Sequence, residues 1–286
     1  MFSVLEPAGV VALAERTLMI NATLLMLIVV VPLFVLAFFV AWHWRAGNKK
    51  ATYMPNWEHS KMDELVWWAI PFEIVLVLGA LTWTSTHQLD PRKPLDDARG
   101  EPPLVIQVVA LEWKWLFIYP EQHIATINML ELPVGRPVEF EITADAPMNS
   151  FWIPRLGGQI YAMTGMVTRL NLIATQPGVF AGGSANYSGS GFAQMKFTVH
   201  AVPVADFNAW VQTTASSSQI LDTSTYNALA QPNIQLQPQY YALPDTTLYN
   251  SIVEKFMSIG PEKSLSPAAE RRGNAFETNF SSPTMH

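Results

Sequence analysis

The chain has 286 residues, of which 50% are hydrophobic and only 14% charged, and its formal net charge is −6. A typical soluble chain carries about 25% charged residues, so the apolar excess is expected to be concentrated in part of the chain. The sequence has no Cys, which excludes disulfides, thiolate-ligated metals, iron–sulfur clusters and Cys nucleophiles. The acidic balance, without a basic patch, argues against a nucleic-acid partner.

Two long apolar runs lie near the N-terminus. Residues 17–44 carry no charged side chain, and residues 65–89 carry only Glu73. A helix needs roughly 20 apolar residues to cross a bilayer, so the sequence predicts a transmembrane helical hairpin over 17–89. The connecting loop, 45–62, is rich in Lys and Arg, which places it in the cytoplasm and both ends of the hairpin on the outer side.

Two acids belong to the second apolar run. Glu73 lies well inside it, where an ionised carboxylate costs several kcal/mol. Its alternatives are a hydrogen bond to a neighbouring subunit or lipid, and a role in quinone or proton chemistry. Glu64 lies at the cytoplasmic mouth of the same run. An acid at this boundary can gather protons without heavy desolvation, or it can be a solvated acid that the helix dipole favours.

From about residue 102 the sequence changes to short runs of β-forming residues separated by Gly, Pro, Asn or Asp. Many short strands with turn signals predict a β-sandwich or barrel over 102–205. The clearest runs are LVIQVVA, WKWLFIY, VEFEIT, VTRLNLIA and QMKFTVH. Alternation within the second run predicts one strand face formed by four aromatic residues: Trp113, Trp115, Phe117 and Tyr119.

The C-terminal part, 206–260, is predicted to be a helical segment. ADFNAWVQ is amphipathic, DTSTYNALA begins with good N-cap residues, and TLYNSIVEKFMSIG has apolar spacing of three and four before Gly260, a C-cap signal. Residues 261–286 are polar and contain Pro, Ser, Arg and Asn. This composition predicts a disordered tail.

Three strings resemble subunit II of the haem–copper respiratory oxidases, in particular the quinol-oxidase branch of the cytochrome bo type. They are LEWKWLFIYPEQ (111–122), NSFWIPRLGGQIYAMTGM (149–166) and SANYSGSGFAQMKF (184–197). The resemblance implies a membrane-anchored α + β protein, with a two-helix transmembrane hairpin followed by a cupredoxin-like β-sandwich and short C-terminal helices. It also implies a bacterial inner-membrane location with the β-domain on the periplasmic side.

The side chains at the family's copper-ligand positions distinguish two branches of that family. In the cytochrome c oxidase branch, subunit II holds a dinuclear copper centre through two Cys, two His, a Met and a glutamate backbone oxygen. The resemblance lays these ligands on Asn149, Ser184, Asn186, Ser188, Phe192 and Met195. Thiolates bridge copper because they are soft and anionic, whereas a Ser hydroxyl is hard and neutral and Phe has no lone pair. Only Met195 keeps a ligand side chain, so we expect this chain to bind no metal or other cofactor.

Each of these positions also has a purely structural interpretation. The loop is then a polar turn that fills an abandoned site, and Met195 is a core residue, as an isolated Met usually is. The aromatics Trp113 and Trp115 then pack against the large subunit or the sandwich core. In copper-bearing relatives, aromatics in the corresponding region help electrons to enter.

The resemblance implies a non-catalytic subunit of a proton-pumping ubiquinol oxidase. Haems, copper and ubiquinone are then expected in the large haem–copper subunit I, and the other partners are small membrane subunits and the lipid bilayer. Glu64 matches a glutamate implicated in proton entry to the lysine-type channel of subunit I. The alternatives are a cytochrome c oxidase subunit II with dinuclear copper, which the missing ligands disfavour, and a membrane-anchored binding module unrelated to respiration.

The N-terminal segment, 1–16, is expected on the outer side of the membrane. Its Leu5-Glu6-Pro7 resembles the stretch that follows a lipid-modified Cys in many quinol-oxidase relatives. No Cys precedes this stretch in the sequence. Both a removed lipid-bearing Cys and a chain without lipid are compatible with it.

Overall fold

The computed structural model describes residues 4–52, 58, 60–95, 100–235 and 237–257. Within them the expected architecture is confirmed: two long apolar helices precede a two-sheet sandwich, and short helices follow it. The predicted tail 261–286, the helix end at Gly260 and part of the basic loop lie outside the described residues.

Two helices, α1 (Val10–His43) and α2 (Lys61–Gln88), form the hairpin. Both are long and apolar enough to cross a membrane. Partly buried side chains recur at helical spacing on facing sides of the two helices, at Leu18, Ala22, Leu25 and Val29 of α1 and at Ile74, Leu78, Leu81 and Ser85 of α2. Most other side chains of both helices are exposed and apolar, so these surfaces need lipid or a protein partner.

The domain that follows the hairpin is a sandwich of two sheets. Its strands are β1 (Leu104–Leu111), β2 (Lys114–Tyr119), β3 (Ile124–Ile127), β4 (Met129–Pro133), β5 (Val138–Ala144), β6 (Asn149–Trp152), β7 (Ile160–Ala162), β8 (Thr168–Leu172), β9 (Gly178–Ser184), β10 (Lys196–Val202) and β11 (Gln239–Ala242). One sheet has the order β11-β3-β2-β1-β5-β8, and the other has the order β4-β10-β9-β6-β7. The pairs β1–β5 and β4–β10 are parallel.

Aromatic side chains fill the space between the two sheets. Phe151 of β6 and Phe197 of β10 stack with ring centroids 5.3 Å apart. Trp115 of β2 meets Phe151 edge-on at 5.4 Å, and Phe117 meets Phe197 edge-on at 5.1 Å. Trp115, Phe117 and Tyr119 are all fully buried, as the predicted alternation requires. Edge-on and stacked pairs of this kind add to the burial of apolar area.

Among the described residues after β10, three helices and the last strand of the sandwich, β11, follow. The helices are α3 (Val204–Ala215), α4 (Thr223–Leu229) and α5 (Leu248–Met257). The segment 206–260 was expected to be helical, but it also supplies β11, which pairs antiparallel with β3. The expectation was wrong for these four residues, because QYYA is too short to show a period and β3 offers it an open sheet edge.

A second apolar core lies on the outer face of the six-stranded sheet. It joins Val109, Leu116 and Ile118 of the sheet to Tyr226 of α4 and Ile252 of α5. The C-terminal helices therefore pack on the sandwich and do not form a separate unit. Asp222 caps α4, because its side chain accepts a hydrogen bond from Thr225 N at 2.7 Å.

A backbone strap attaches the start of α1 to the sandwich. Ala8 N donates to Arg155 O at 2.7 Å, Thr175 N donates to Ala8 O at 2.8 Å, and Ala12 N donates to Leu156 O at 3.1 Å. Gly9 lies between these contacts, where a Cβ would stand 2.7 Å from Leu156 O and 2.8 Å from Ile173 O. A side chain at position 9 would therefore collide with backbone, which cannot move aside as a flexible side chain can.

We expect Gly9→Ala to weaken the attachment of α1 to the sandwich. The added Cβ must displace backbone, which costs on the order of 1–3 kcal/mol. The measurement is the thermal unfolding midpoint of the full chain in mild detergent, followed by Trp fluorescence. Gly79→Ala is the matched control, because a Cβ there meets nothing within 4 Å. Equal unfolding midpoints for the two variants would contradict the claim that close packing at Gly9 holds α1 to the sandwich.

Glu131 of β4 is an acid buried at the edge of the core. Its backbone N–H and C=O exchange hydrogen bonds with the Tyr119 hydroxyl, at 2.9 and 3.0 Å. Its carboxylate lies 3.9 Å from His200 Nδ1 on the neighbouring strand. Burial raises the pKa of Glu131 from 4.5 to about 7, and the nearby carboxylate of Asp206 contributes in the same direction. The Tyr240 hydroxyl also lies within electrostatic reach.

This raised pKa predicts that the sandwich loses stability as the pH rises from about 4.5 to about 7. Below this window Glu131 is protonated in both states, whereas above it the unfolded chain ionises freely and the folded chain must bury a charge. The expected loss is about 2 kcal/mol, less than the full shift gives, because solvent near this position screens the ionised form. Glu131→Gln should remove this pH dependence of the unfolding midpoint, whereas Glu121→Gln, at an exposed site, should keep it. If the unfolding midpoint of Glu131→Gln depends on pH as that of the unchanged chain does, Glu131 is not the group responsible.

Candidate functional site

The positions that the resemblance assigns to copper ligands come together at one end of the five-stranded sheet, where the central strands begin or stop. Asn149 opens β6 and Ser184 closes β9. A loop containing Asn186 and Ser188 follows, then a single 3₁₀ turn, Phe192–Gln194, and then Met195 before β10. Because β6 and β9 are paired neighbours, residues far apart in sequence meet at this end of the sheet.

Hydrogen bonds link three of these residues directly. Ser184 Oγ lies 2.9 Å from Asn149 Oδ1 and 3.1 Å from the backbone O of Asn186, so its one proton can go to either acceptor. Asn186 Nδ2 donates to Met148 O at 2.9 Å, and Asn149 Nδ2 donates to Pro147 O at 2.7 Å. Amide and hydroxyl groups therefore satisfy one another here, as buried polar groups must.

The other three positions are held differently. Met195 is 1% exposed and belongs to the sandwich core, and its backbone O accepts from Ser184 N at 3.2 Å. The ring of Phe192 packs edge-on against exposed Tyr187, with centroids 5.7 Å apart. Ser188 Oγ is buried without a hydrogen-bond partner among the described residues. The structural interpretation of Met195 as a core residue therefore agrees with its position.

Trp113 does not lie in the strand that its alternation predicts. It occupies the turn between β1 and β2, with a left-handed φ of 62°, which is uncommon for a bulky residue. Its indole N–H donates to Ser188 O at 3.1 Å. Its ring covers Gly191, where a Cβ would lie 2.2 Å from the ring. Trp113 thus packs on the loop that follows β9, whereas Trp115 belongs to the core.

The side chains at this end of the sheet do not fit a dinuclear copper centre. The donors that reach one another are neutral amide and hydroxyl groups of Asn149, Ser184 and Asn186, and copper of this kind requires soft, anionic bridging ligands. The thioether of Met195 faces the core. Among the described residues, no group of three or more His, Cys, Asp or Glu could hold a metal ion.

The two acids of the second apolar run lie on α2, away from this cluster. Glu64 is in the first turn of the helix, where the Ser60 hydroxyl caps the N-terminus by accepting from Asp63 N at 3.3 Å. Glu73 lies further along the helix and is exposed in the isolated chain. A helix rises about 1.5 Å per residue, so the two carboxylates lie roughly 14 Å apart along its axis.

Sequence reasoning missed a polar latch that ties α4 and α5 to the sandwich. Lys255 Nζ lies 2.7 Å from Asp145 Oδ1, and the Tyr226 hydroxyl donates to Asp145 Oδ2 at 2.6 Å. Lys114 is another missed residue: its side chain is fully buried, and its ammonium donates to Gln231 O at 3.0 Å. Burial lowers the pKa of Lys114. No local motif marks these contacts, because each joins residues distant in sequence.

Two protein families match the chain. Residues 120–202 match the family described as "Cytochrome C oxidase subunit II, periplasmic domain". Residues 215–260 match the "COX Aromatic Rich Motif". Among solved structures, the periplasmic domain of subunit II of cytochrome oxidase from Bradyrhizobium japonicum is similar, with a TM-score of 0.39 and 20% identity over 42% of this chain and 96% of that one.

Sequence relatives extend over most of the chain. "Ubiquinol oxidase subunit 2" of Acetobacter aceti is 48% identical over 88% of this chain and 82% of its own length. "Cytochrome bo(3) ubiquinol oxidase subunit 2" of Pseudomonas aeruginosa is 48% identical over 90% and 77%. "Quinol oxidase subunit 2" of Bacillus cereus is 35% identical over 81% and 79%. The chain therefore belongs to the family of subunit 2 of the ubiquinol oxidases.

Proposed function

We propose that this chain is subunit II of a proton-pumping terminal ubiquinol oxidase, with its hairpin in the bacterial inner membrane and its sandwich in the periplasm. The observation that carries the proposal is the loop 184–195, where neutral groups replace thiolates in a chain 48% identical to ubiquinol oxidase subunits. The Lys- and Arg-rich loop 45–62 supports the orientation, because short basic loops remain in the cytoplasm.

Within that oxidase we assign the electron-transfer chemistry to the large haem–copper subunit I. Haems, copper and ubiquinone are bound there, quinol gives up its electrons there, and O2 is reduced to water there. This chain supplies a membrane hairpin and an outer cap that stabilise the large subunit and the other small subunits. The dry aromatic core around Trp115 and Phe151 then serves as packing and not as an electron path.

A second candidate is a cytochrome c oxidase subunit II with a dinuclear copper centre. The match of residues 120–202 to the periplasmic domain of that subunit favours it. The site chemistry disfavours it, because Ser184 and Ser188 offer neutral hydroxyls where bridging thiolates are needed. The two candidates differ in electron donor and in copper content, so one preparation can separate them.

We expect the oxidase purified with this chain to consume O2 with ubiquinol as donor and not with reduced cytochrome c. The isolated chain should contain no stoichiometric copper by elemental analysis, because hard neutral donors hold copper weakly. About two coppers per chain, or faster turnover with cytochrome c than with ubiquinol, would overturn the proposal. A chain that purifies in mild detergent without a haem-bearing partner would favour an unrelated binding module.

We further propose that Glu64 is a proton-entry carboxylate for the large subunit. It lies in the first turn of α2, at the cytoplasmic end, next to the basic loop. An acid at a water–membrane boundary exchanges protons readily, because its ionised form remains hydrated. Glu73 has a different role in this proposal: its carboxyl group lies on an apolar helix surface, and a neighbouring oxidase subunit supplies its hydrogen-bond partner.

Glu64→Gln should lower the quinol oxidase turnover about ten-fold, because an amide cannot relay a proton. Glu64→Asp keeps a carboxylate and should retain most of the activity. Glu58→Gln is the matched control, since it removes an exposed acid from the cytoplasmic loop just before α2. The measurement is O2 uptake with excess ubiquinol, together with proton uptake in vesicles. Equal turnover in Glu64→Gln and Glu58→Gln would exclude Glu64 from proton entry.

A further inference from the structure

A cavity of about 310 Å³ lies where the hairpin meets the sandwich. Its walls come from the first turns of α1, from the segment that follows α2, and from two places on the sandwich near Gly158 and Asn171. Small-molecule sites in proteins have volumes of about 300–1,000 Å³. None of the residues discussed under the proposed function lines this cavity.

The cavity continues into a groove of about 460 Å³ between the two helices. Val10, Ala14, Gln88 and Leu89 line both spaces, so the groove and the cavity adjoin. The groove is lined by apolar and small polar side chains at the outer ends of both helices: Leu13, Thr17, Leu18, Asn21, Leu81 and Ser85. The two spaces therefore form one path from the outer part of the bilayer to the sandwich.

The polar groups of the cavity are suited to a cation that donates hydrogen bonds. Glu15 lines it, half-buried, and accepts a hydrogen bond from the backbone N–H of Gly158. Asp90 adds a second carboxylate, and Gln159 and Asn171 add amides. Among the lining residues that the structure describes, none is Lys or Arg.

Two cationic residues follow the cavity lining along the chain. Arg92 and Lys93 follow the lining residues Asp90 and Pro91 directly, and both are exposed. Two hydrogen bonds fix this segment to the sandwich, because Asn171 N and Asn171 Nδ2 each donate to Pro91 O at 3.0 Å. Carboxylates therefore line the cavity, two exposed cations follow its wall directly in the chain, and this wall is held in place by the protein itself.

We propose that the cavity and groove bind one phospholipid with a primary-ammonium headgroup, of the phosphatidylethanolamine type. The acyl chain lies in the groove between α1 and α2, the ammonium group meets Glu15, and the phosphate faces Arg92 and Lys93. A trimethylammonium headgroup cannot donate hydrogen bonds to a carboxylate, and an anionic glycerol headgroup lacks the charge that Glu15 attracts. The inference depends on the membrane hairpin alone and not on the electron donor of the oxidase.

The test measures which lipids remain bound to the full chain and its assembled partners after stepwise delipidation in mild detergent. Phosphatidylethanolamine, phosphatidylcholine and phosphatidylglycerol with the same acyl chains are offered in equal amounts, and bound lipid is counted by mass spectrometry. We expect retained phosphatidylethanolamine to exceed the other two. Glu15→Gln should lower its apparent affinity about ten-fold, and Ala14→Phe, which fills the shared wall without changing charge, should do the same.

Two matched controls keep the result specific to the cavity. Glu6→Gln removes an exposed acid from the same N-terminal segment, and Ala80→Phe adds the same bulk on an exposed position of α2. Both should retain phosphatidylethanolamine as the unchanged chain does. Equal retention of all three lipids, or unchanged retention in both cavity variants, would overturn the proposal. If the Glu15→Gln variant does not assemble with its partners, the lipid competition on the unchanged chain and the Ala14→Phe variant still test the proposal.

Discussion

The rest of the structure depends on the backbone hydrogen bonds that connect an apolar hairpin to the sandwich. On the α1 side, Ala8 exchanges hydrogen bonds with the sandwich and Gly9 approaches its backbone too closely for any side chain. On the α2 side, Asn171 donates two hydrogen bonds to Pro91 O. Backbone groups at such a junction must be paired, and here the sandwich supplies the partners. The ends of α1 and α2 nearest the sandwich are thereby fixed to it. This sets the spacing of the two helix ends and leaves the cavity at Glu15 between them.

The loop after β9 is held in place by contacts that the chain itself supplies. A metal orders a loop through bonds to its ligands, whereas this loop is ordered by neutral hydrogen bonds and by close packing. Ser184 joins Asn149 to Asn186, and Trp113 covers Gly191 while it donates to Ser188 O. Each neutral hydrogen bond contributes only about 1 kcal/mol net, but an unpaired buried group costs more. Ser184, Asn149 and Asn186 therefore pair as neutral donors and acceptors, and none of them is the soft anionic ligand that dinuclear copper needs.

The sequence was sufficient for the features with a long or regular signal. Both helices and five strands follow from uncharged length or β-rich runs, and Asp222 marks the start of α4 as a capping residue should. Strands such as β9, GVFAGGS, lacked that signal because three small Gly residues break the pattern. Trp113 fits the alternation of β2, yet the chain must turn after Leu111, and that turn depends on packing against a loop far away in sequence. The latch between Asp145 and Lys255 is equally non-local, so no residue pattern near either partner announces it.

Three acids lie at different levels of the hairpin. Their surroundings show which parts of this chain supply their own interaction partners. Glu64 lies in the first turn of α2, and Glu15 lies near the start of α1, where Gly158 donates a backbone hydrogen bond. Glu73 lies between them on a surface of exposed apolar side chains, where an ionised carboxylate costs several kcal/mol without a partner. The sandwich buries its own aromatic core, and Ser184 pairs with Asn149 and Asn186 within it. The hairpin instead leaves both an acid and most of its apolar surface to its surroundings, so its stability is a property of the assembled membrane complex, whereas that of the sandwich belongs to this chain.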